Sequence, residues 1–227
     1  TYAKDEFLAI GDDHKISRSI NGIDWDTITT TGLPDFTYIK RDLVYIERLD
    51  LYLTVCSGGR IYTSTNLTAW TQRGAGLTLS DLNSIVDTGT KLMIFSSSGV
   101  ILESTDAINW TVVTQISGNI FRDSVYGAGK VVAVGEAYPK GVIFISADNG
   151  SSFQSKSTGI NEPLRKVFHS DGYFLAAGQS GAFYYSKDTD TDTWTKIDVG
   201  STNMFSALSY INRKFIALSS AGGEIII

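Results

Sequence analysis

The sequence predicts an all-β fold, a β-propeller of four-stranded antiparallel blades, on three observations. A phrase that opens on Ser and closes on an aromatic returns five times, at Ser19 to Trp25, Ser64 to Trp70, Ser104 to Trp110, Ser146 to Phe153 and Ser186 to Trp194. The Ser positions advance by 45, 40, 42 and 40 residues, and self-similarity at such a period marks a propeller or solenoid. Short runs rich in Val, Ile, Phe and Tyr alternate with Gly, Ser, Asp and Asn, the punctuation of β-hairpins. Residues 1–227 read as a single domain, long enough to bury a substantial core, with a fragment of a longer chain as an open alternative.

Each unit divides into four strands, a to d, and the third unit shows them plainly. Strand a is Leu82 to Val86, strand b Lys91 to Phe95, strand c Val100 to Glu103 and strand d Trp110 to Val113. Four antiparallel strands per repeat make a propeller blade. The b strands line up as Phe7 to Ile10, Tyr52 to Val55, Leu92 to Phe95, Val131 to Val134, Phe174 to Ala177 and Phe215 to Leu218. Their nearly unbroken apolar character predicts cover on both faces by neighbouring blades. Strand c places Ile16, Ile61, Ile101, Ile143 or Phe183 three residues before each Ser, and Ile225 continues the series. Counting fourteen residues back from the b–c junction aligns Leu43, Leu82, Phe121, Leu164 and Phe205 on strand a, and in the first unit that position falls before residue 1. Six b and six c strands thus accompany five a and five d strands. The expectation is six repeat units with incomplete ends. The alternative is five closed blades, with Phe205 to Ser209 supplying the inner strand of the first; either closure protects open strand edges.

The recurring phrase has its own turn chemistry. Its Ser hydroxyl and the Asn or Asp two residues later can bond nearby backbone N–H groups and hold a tight c–d bend, with the aromatic folded beneath. The residues concerned are Ser19, Asn21 and Trp25; Ser64, Asn66 and Trp70; Ser104, Asp106 and Trp110; Ser146, Asp148 and Phe153; and Ser186, Asp188 and Trp194. This pattern resembles the Asp-box, or BNR repeat, Ser/Thr-x-Asp-x-Gly-x-Thr-Trp, in five copies over essentially the whole chain. The copies depart from it in places: Asn21 and Asn66 replace Asp, Gly22 alone keeps the Gly, and the last two copies carry extra residues before the aromatic. The resemblance implies a structural role for these residues, on the propeller rim and away from any active site. Asp188, Asp190 and Asp192 read as a lengthened exposed turn, with a cation site as the alternative.

Composition excludes several functions. The formal charge is −5 with Lys and Arg scattered, so no basic stripe awaits a phosphate backbone and no nucleic-acid partner is expected. No apolar run approaches the roughly 18 residues that span a bilayer, so no membrane insertion is expected. Cys56 is the only cysteine; it excludes an internal disulfide and a thiolate zinc cage, and reads as a core thiol. No cofactor or metal is expected. Asp-box propellers include sialidases and other glycoside hydrolases, yet the arginine cluster, Arg-Ile-Pro-like motif, Tyr–Glu pair and acid Asp of a sialidase are not recognisable. The nearest candidate, Phe121-Arg122-Asp123, lies inside a strand a. Hydrolysis by paired carboxylates needs two acids roughly 5 to 10 Å apart. Asp12, Asp13, Glu136 and Glu224 all fall in b–c loops, but on separate blades apart from the first pair. His14 in a b–c loop and His169 at an a–b turn fall on opposite faces, so they cannot cooperate. The chain does not read as an enzyme.

Binding is expected on the face opposite the recurring turns, where the loops vary most. Its largest loops hold Phe36 and Tyr38, within Thr27 to Lys40, and Tyr138, within Glu136 to Lys140. Exposed aromatics beside polar groups suit a protein or a sugar. Arg122 and Arg165 hold one strand-a position in adjacent blades, and two guanidinium groups at one mouth would make an anion or carboxylate site. Ion pairing with Asp123 or Glu162 is the favoured reading of the two arginines, and the anion site is the sharper one beside it. The reading is a non-catalytic structural or interaction module that presents loops to a protein partner in a larger assembly. A glycan-binding, lectin-like propeller is the alternative, set back because the b–c loops do not repeat, and a glycoside hydrolase ranks below it. Phrases such as Ser104 to Trp110 are similar to those of BNR-like proteins on bacteriophage virions and, more distantly, of the photosystem II assembly factor. The first resemblance implies a decoration, fibre or tail module, on a virion surface or outside the cell.

Overall fold

The computed structural model describes residues 1–11, 15–34, 38–157, 159–219 and 225–226, and builds the chain from six antiparallel sheets. Two compact units, Thr1–Gln115 and Ile116–Ile227, hold three sheets each. In the first unit the sheets are Tyr2–Ala3, Glu6–Ile10, Lys15–Ser19 and Asp26–Thr29; then Lys40–Ile46, Leu51–Cys56, Arg60–Ser64 and Thr71–Arg73; then Leu82–Asp87, Leu92–Ser96, Val100–Ser104 and Thr111–Gln115. In the second they are Ile120–Gly127, Lys130–Ala137, Lys140–Ser146 and Gln154–Ser155; then Leu164–Ser170, Tyr173–Gly178, Phe183–Lys187 and Asp190–Lys196; and last Phe205–Ile211, Lys214–Ser219 and Ile225–Ile226. The five four-stranded sheets follow the order a-b-c-d, and the sixth, among the described residues, the order a-b-c. Among the described residues there is no α-helix, only the 3-10 turns Glu47–Leu49 and Ser57–Gly59.

Two details of the sequence reading change. Tyr2–Ala3 pairs with Phe7 and Glu6, so the first sheet has a short strand a. Phe205–Ile211 pairs with Lys214–Ser219 and founds a sixth sheet, which removes the five-blade alternative.

Apolar seams join consecutive sheets within each unit. Leu8 and Ile16 of the first sheet meet Tyr52, Tyr62 and Trp70 of the second; Leu53, Val55 and Ile61 of the second meet Leu92, Ile94 and Trp110 of the third. In the second unit, Val132 and Ile143 meet Phe174, Tyr184 and Trp194, and Leu175 and Phe183 meet Phe205 and Ala217. Each such side chain removed from water contributes about 1.5–3 kcal/mol. The four central b strands are buried almost throughout, as their unbroken apolar sequences require, whereas the first alternates and leaves Phe7 exposed.

Strand a carries the same irregularity in five sheets. A β-bulge inserts Arg41, Asn83, Arg122, Arg165 or Ser206 opposite the end of strand b. The residues just before it, Lys40, Leu82, Phe121, Leu164 and Phe205, are therefore equivalent, and Lys40 stands where the fixed offset puts Leu43. The 3-10 turn Glu47–Leu49 lengthens that a–b connection, so a constant count slips. A bulge bends its strand and re-aims the extra side chain. The residue after the bulge also ties neighbouring sheets: the Asp42 carboxylate accepts from the Ile85 N–H at 2.9 Å, and Asp123 from the Val167 N–H at 3.1 Å.

The recurring turns form by side-chain bonding to the backbone. Ser104 Oγ donates to Asp106 Oδ1 at 2.9 Å and accepts from the Ala107 N–H at 2.9 Å. Asp106 Oδ1 in turn accepts from the Ile108 and Asn109 N–H groups, both at 2.8 Å, and Trp110 Nε1 donates to the Ala107 carbonyl at 3.1 Å. Ser19, Asn21 and Trp25 repeat this arrangement, as do Ser64, Asn66 and Trp70. Ser146 and Asp148 form a wider version that bonds Gly150 and Ser152 and leads to a half-buried Phe153. Gly22 sits at φ 74°, and Leu67 and Ala107 adopt the same left-handed conformation, which explains the glycine of the first copy.

The fifth copy differs. Ser186 Oγ donates to the Asp190 carbonyl at 2.7 Å, and Asp188 bonds His169 Nε2 at 2.8 Å instead of its own turn. Trp194 lies within strand d, and its buried Nε1 has no partner. Asp192 pairs with Lys156 at 2.6 Å, so the Asp188 and Asp192 carboxylates take separate protein partners.

Candidate binding site

The bulges of the fourth and fifth sheets aim Arg122 and Arg165 at a single carboxylate. Glu136 closes strand b of the fourth sheet, opposite Ile120, and is almost wholly buried. Its Oε1 accepts from Arg122 Nε at 2.9 Å and from Arg165 Nη1 at 3.3 Å. Two guanidinium groups thus share one carboxylate, leaving a net charge of about +1 in a partly buried setting where charges act more strongly than in water. Burial, followed by repulsion from Arg122, pulls the Arg165 guanidinium below its ordinary range, with Glu136 opposing. Arg165 Nε is buried and lacks a hydrogen-bond acceptor.

The arginines do form an ion pair, but with Glu136; the acids favoured from the sequence, Asp123 and Glu162, are engaged elsewhere. Asp123 takes the Val167 N–H and pairs with Lys166 at 3.6 Å. Glu162 accepts from Tyr184 Oη at 2.6 Å and from Lys196 Nζ at 2.5 Å. In the first unit the bulge arginine is neutralised singly, Arg41 pairing with Asp81 at 3.0 Å. Glu136 was visible in the sequence as a loop acid; its role required the bulge register.

Beyond Glu136 the same strand turns tightly into strand c, Ala137 pairing with Lys140, and Tyr138 at the tip is 84% exposed. Tyr38, in the first unit, is engaged: Arg60 Nη2 donates to its hydroxyl at 2.8 Å and the guanidinium lies 4.1 Å from its ring centroid. The tyrosine ring also packs on Gly58, where a Cβ would come within 2.9 Å. Phe36, Asp12, Asp13, His14 and Glu224 lie outside the described residues.

His169 packs its ring 4.5 Å from that of Phe174 and covers Gly127 of the neighbouring sheet, whose place admits no side chain. Its partner Asp188 lies in the same sheet, and the Lys130 ammonium of the neighbouring sheet donates to the Asp188 carbonyl. Burial pushes the Cys56 thiol up to about 12, far from a reactive thiolate. Among the described residues no three His, Cys, Asp or Glu side chains gather as metal ligands, and no helix is long and apolar enough to cross a membrane.

Six repeated antiparallel sheets with inner-strand bulges define the β-propeller class. No family model and no curated protein matches the sequence. Solved structures do match the fold. The chain is similar to YCF48 bound to D1 peptide, at 15% identity and TM-score 0.75 over 97% of this chain and 73% of that one. It is similar to YCF48 from Cyanidioschyzon merolae at 11% identity and TM-score 0.75, over 99% and 79% of the two chains. A chain of the nidogen/laminin complex matches at 11% identity and TM-score 0.71, over 97% and 87%.

Proposed function

We propose that this protein is a non-catalytic interaction module whose binding surface centres on Arg122, Glu136 and Arg165, with Tyr138 at its edge. One observation carries the reading: two bulge arginines converge on a single buried carboxylate, so their combined charge exceeds what the protein itself neutralises. Such a site suits an anionic group of a protein partner, above all a carboxylate, because guanidinium forks match its geometry. The exposed Tyr138 adds apolar area with a polar tip, a combination enriched at interfaces. Neighbours of the same fold include proteins solved with a peptide and in the nidogen/laminin complex, and this supports a protein partner. The Ser–Asx turns support the Asp-box reading of the repeat; the place on a virion or another extracellular assembly rests on the resemblance of the repeated phrase alone.

The experiment is a quantitative capture from the native source, comparing the unaltered chain with an Arg122→Ala/Arg165→Ala double variant. A partner retained by the first and depleted at least tenfold by the second is expected. Equal recovery by both would make the arginines structural. A glycan array and a sialoside-hydrolysis assay on the same material separate the lectin and hydrolase readings.

A further inference from the structure

The fourth and fifth copies of the repeated phrase are the two that carry extra residues, and both departures meet at one seam of the second unit, between sheets that each have all four strands. In the fourth, the wider turn lets Asp148 accept from the Ser152 N–H at 2.9 Å and from the Ser152 hydroxyl at 2.6 Å. In the fifth, the hairpin closes at once, Lys187 pairing with Asp190. Counted from the Ser, Asp192 then falls where the third copy folds Trp110 beneath its turn. Between the two turns lies a cleft of about 270 Å³, lined by Asp148, Ser152, Gln154, Lys156, Thr191 and Asp192. Thr191 is only 7% exposed, yet its hydroxyl has no hydrogen-bond partner among the described residues. Buried hydroxyls are normally paired, so this one is a contact held ready for a group from outside the chain.

The lining selects the chemistry of that group. Lys156 and Asp192 cancel one another at 2.6 Å, and three donors of its own turn, the Ser146 hydroxyl and the Ser152 N–H and hydroxyl, already meet the charge of Asp148. The cleft therefore offers no free charge to an ionic ligand. It offers a mixed set of donors and acceptors: a carboxylate accepts about four bonds, an ammonium donates about three, and the Gln154 amide and Thr191 hydroxyl do both. A sugar hydroxyl donates and accepts in the same way. Ile145 and Ala147 add an apolar wall against which the C–H face of a ring gains dispersion contacts. The volume is that of about nine liquid waters, room for one such ring. We propose that this cleft binds one neutral pyranose unit of a glycan, its hydroxyls donating to Asp148 and Asp192 and accepting from Lys156, Thr191 and Gln154. The site lies beside the recurring turns instead of on the loop face, and it is independent of the arginine cluster.

The test is a titration of the isotope-labelled full chain with the methyl α-glycosides of glucose, galactose and mannose, followed by amide chemical shifts in NMR spectra. Saturable shifts at Ser152, Lys156 and Thr191 are expected for at least one glycoside. Its affinity is expected to fall at least fivefold in Thr191→Val, which keeps the branched shape and removes only the hydroxyl, and at least fivefold in Gln154→Ala, altered at an exposed position. A Leu79→Lys chain, altered at a surface site in the other unit, is expected to bind as the unaltered chain does. Methyl α-glucuronide and glucosamine, which carry a charge on the same kind of ring, are expected to bind more weakly. Absence of shifts at those amides with all of the neutral glycosides overturns the proposal. So does an affinity unaltered in both cleft variants, or tighter binding of a charged sugar, which would make the cleft an ionic site.

Discussion

The Ser–Asx turns show how one residue type is chosen for geometry rather than charge. Asp106 accepts bonds from Asn109 first and from Ile108 and Ser104 as well, which holds its carboxyl well below the usual carboxylate range. Asp148 is held low likewise, chiefly by the Ser152 and Ser146 hydroxyls. A depressed native pKa contributes stability that is present above the unfolded value, about 3.9, and is lost as pH falls through the native one. Asn21 and Asn66 make the same backbone bonds without a charge. Asp106→Asn is therefore expected to lower stability at pH 7, where the carboxylate's contribution is fully present, and to make acid unfolding below about pH 4 shallower; urea titrations at pH 7 and pH 3 measure both. The turn residues of the first three copies were legible in the sequence because each set of bonds closes within seven residues. Asp188 was not, because its partner His169 arrives from another strand of the sheet.

At the level of the element, the aromatic that ends each phrase matters through the sheet it reaches. Trp110 is buried in the seam between second and third sheets, whereas Trp25 is 46% exposed. Trp110→Ala is expected to cost about 3–5 kcal/mol, the usual loss for a buried aromatic, and Trp25→Ala clearly less; equilibrium denaturation of the two variants decides it. The strand-a bulge is the other element-scale device. Its presence could not be read from hydrophobic spacing, because the inserted residue breaks the period of two and the a–b connection of the second sheet has its own length. The strand identities survived that error, while the equivalence of Leu43 with Leu82 did not.

For the whole molecule, cohesion depends on contacts between sheets as well as within them. Asp42 and Asp123 each take an N–H from the inner edge of the next sheet, where no strand is available to accept it. Asp123→Ala is expected to destabilise by about 1–3 kcal/mol, the penalty for an unmet buried donor, and to speed hydrogen exchange at the Val167 amide. Unchanged exchange there would show that water takes over the carboxylate's place. The arginine site belongs to this scale too, since Arg122, Glu136 and Arg165 come from two sheets and acquire their shared charge only when those sheets pack.

The amino-acid order alone determined the four-strand repeat, the turn residues of its regular copies and the buried b strands, because these follow from local hydrogen bonding and from the periodicity of apolar side chains. Only the tertiary structure decided which acid the two arginines share, and that Tyr38 is engaged by Arg60 while Tyr138 stands free in solvent. Those facts depend on bulges and on the approach of separate sheets, and neither leaves a period in the chain.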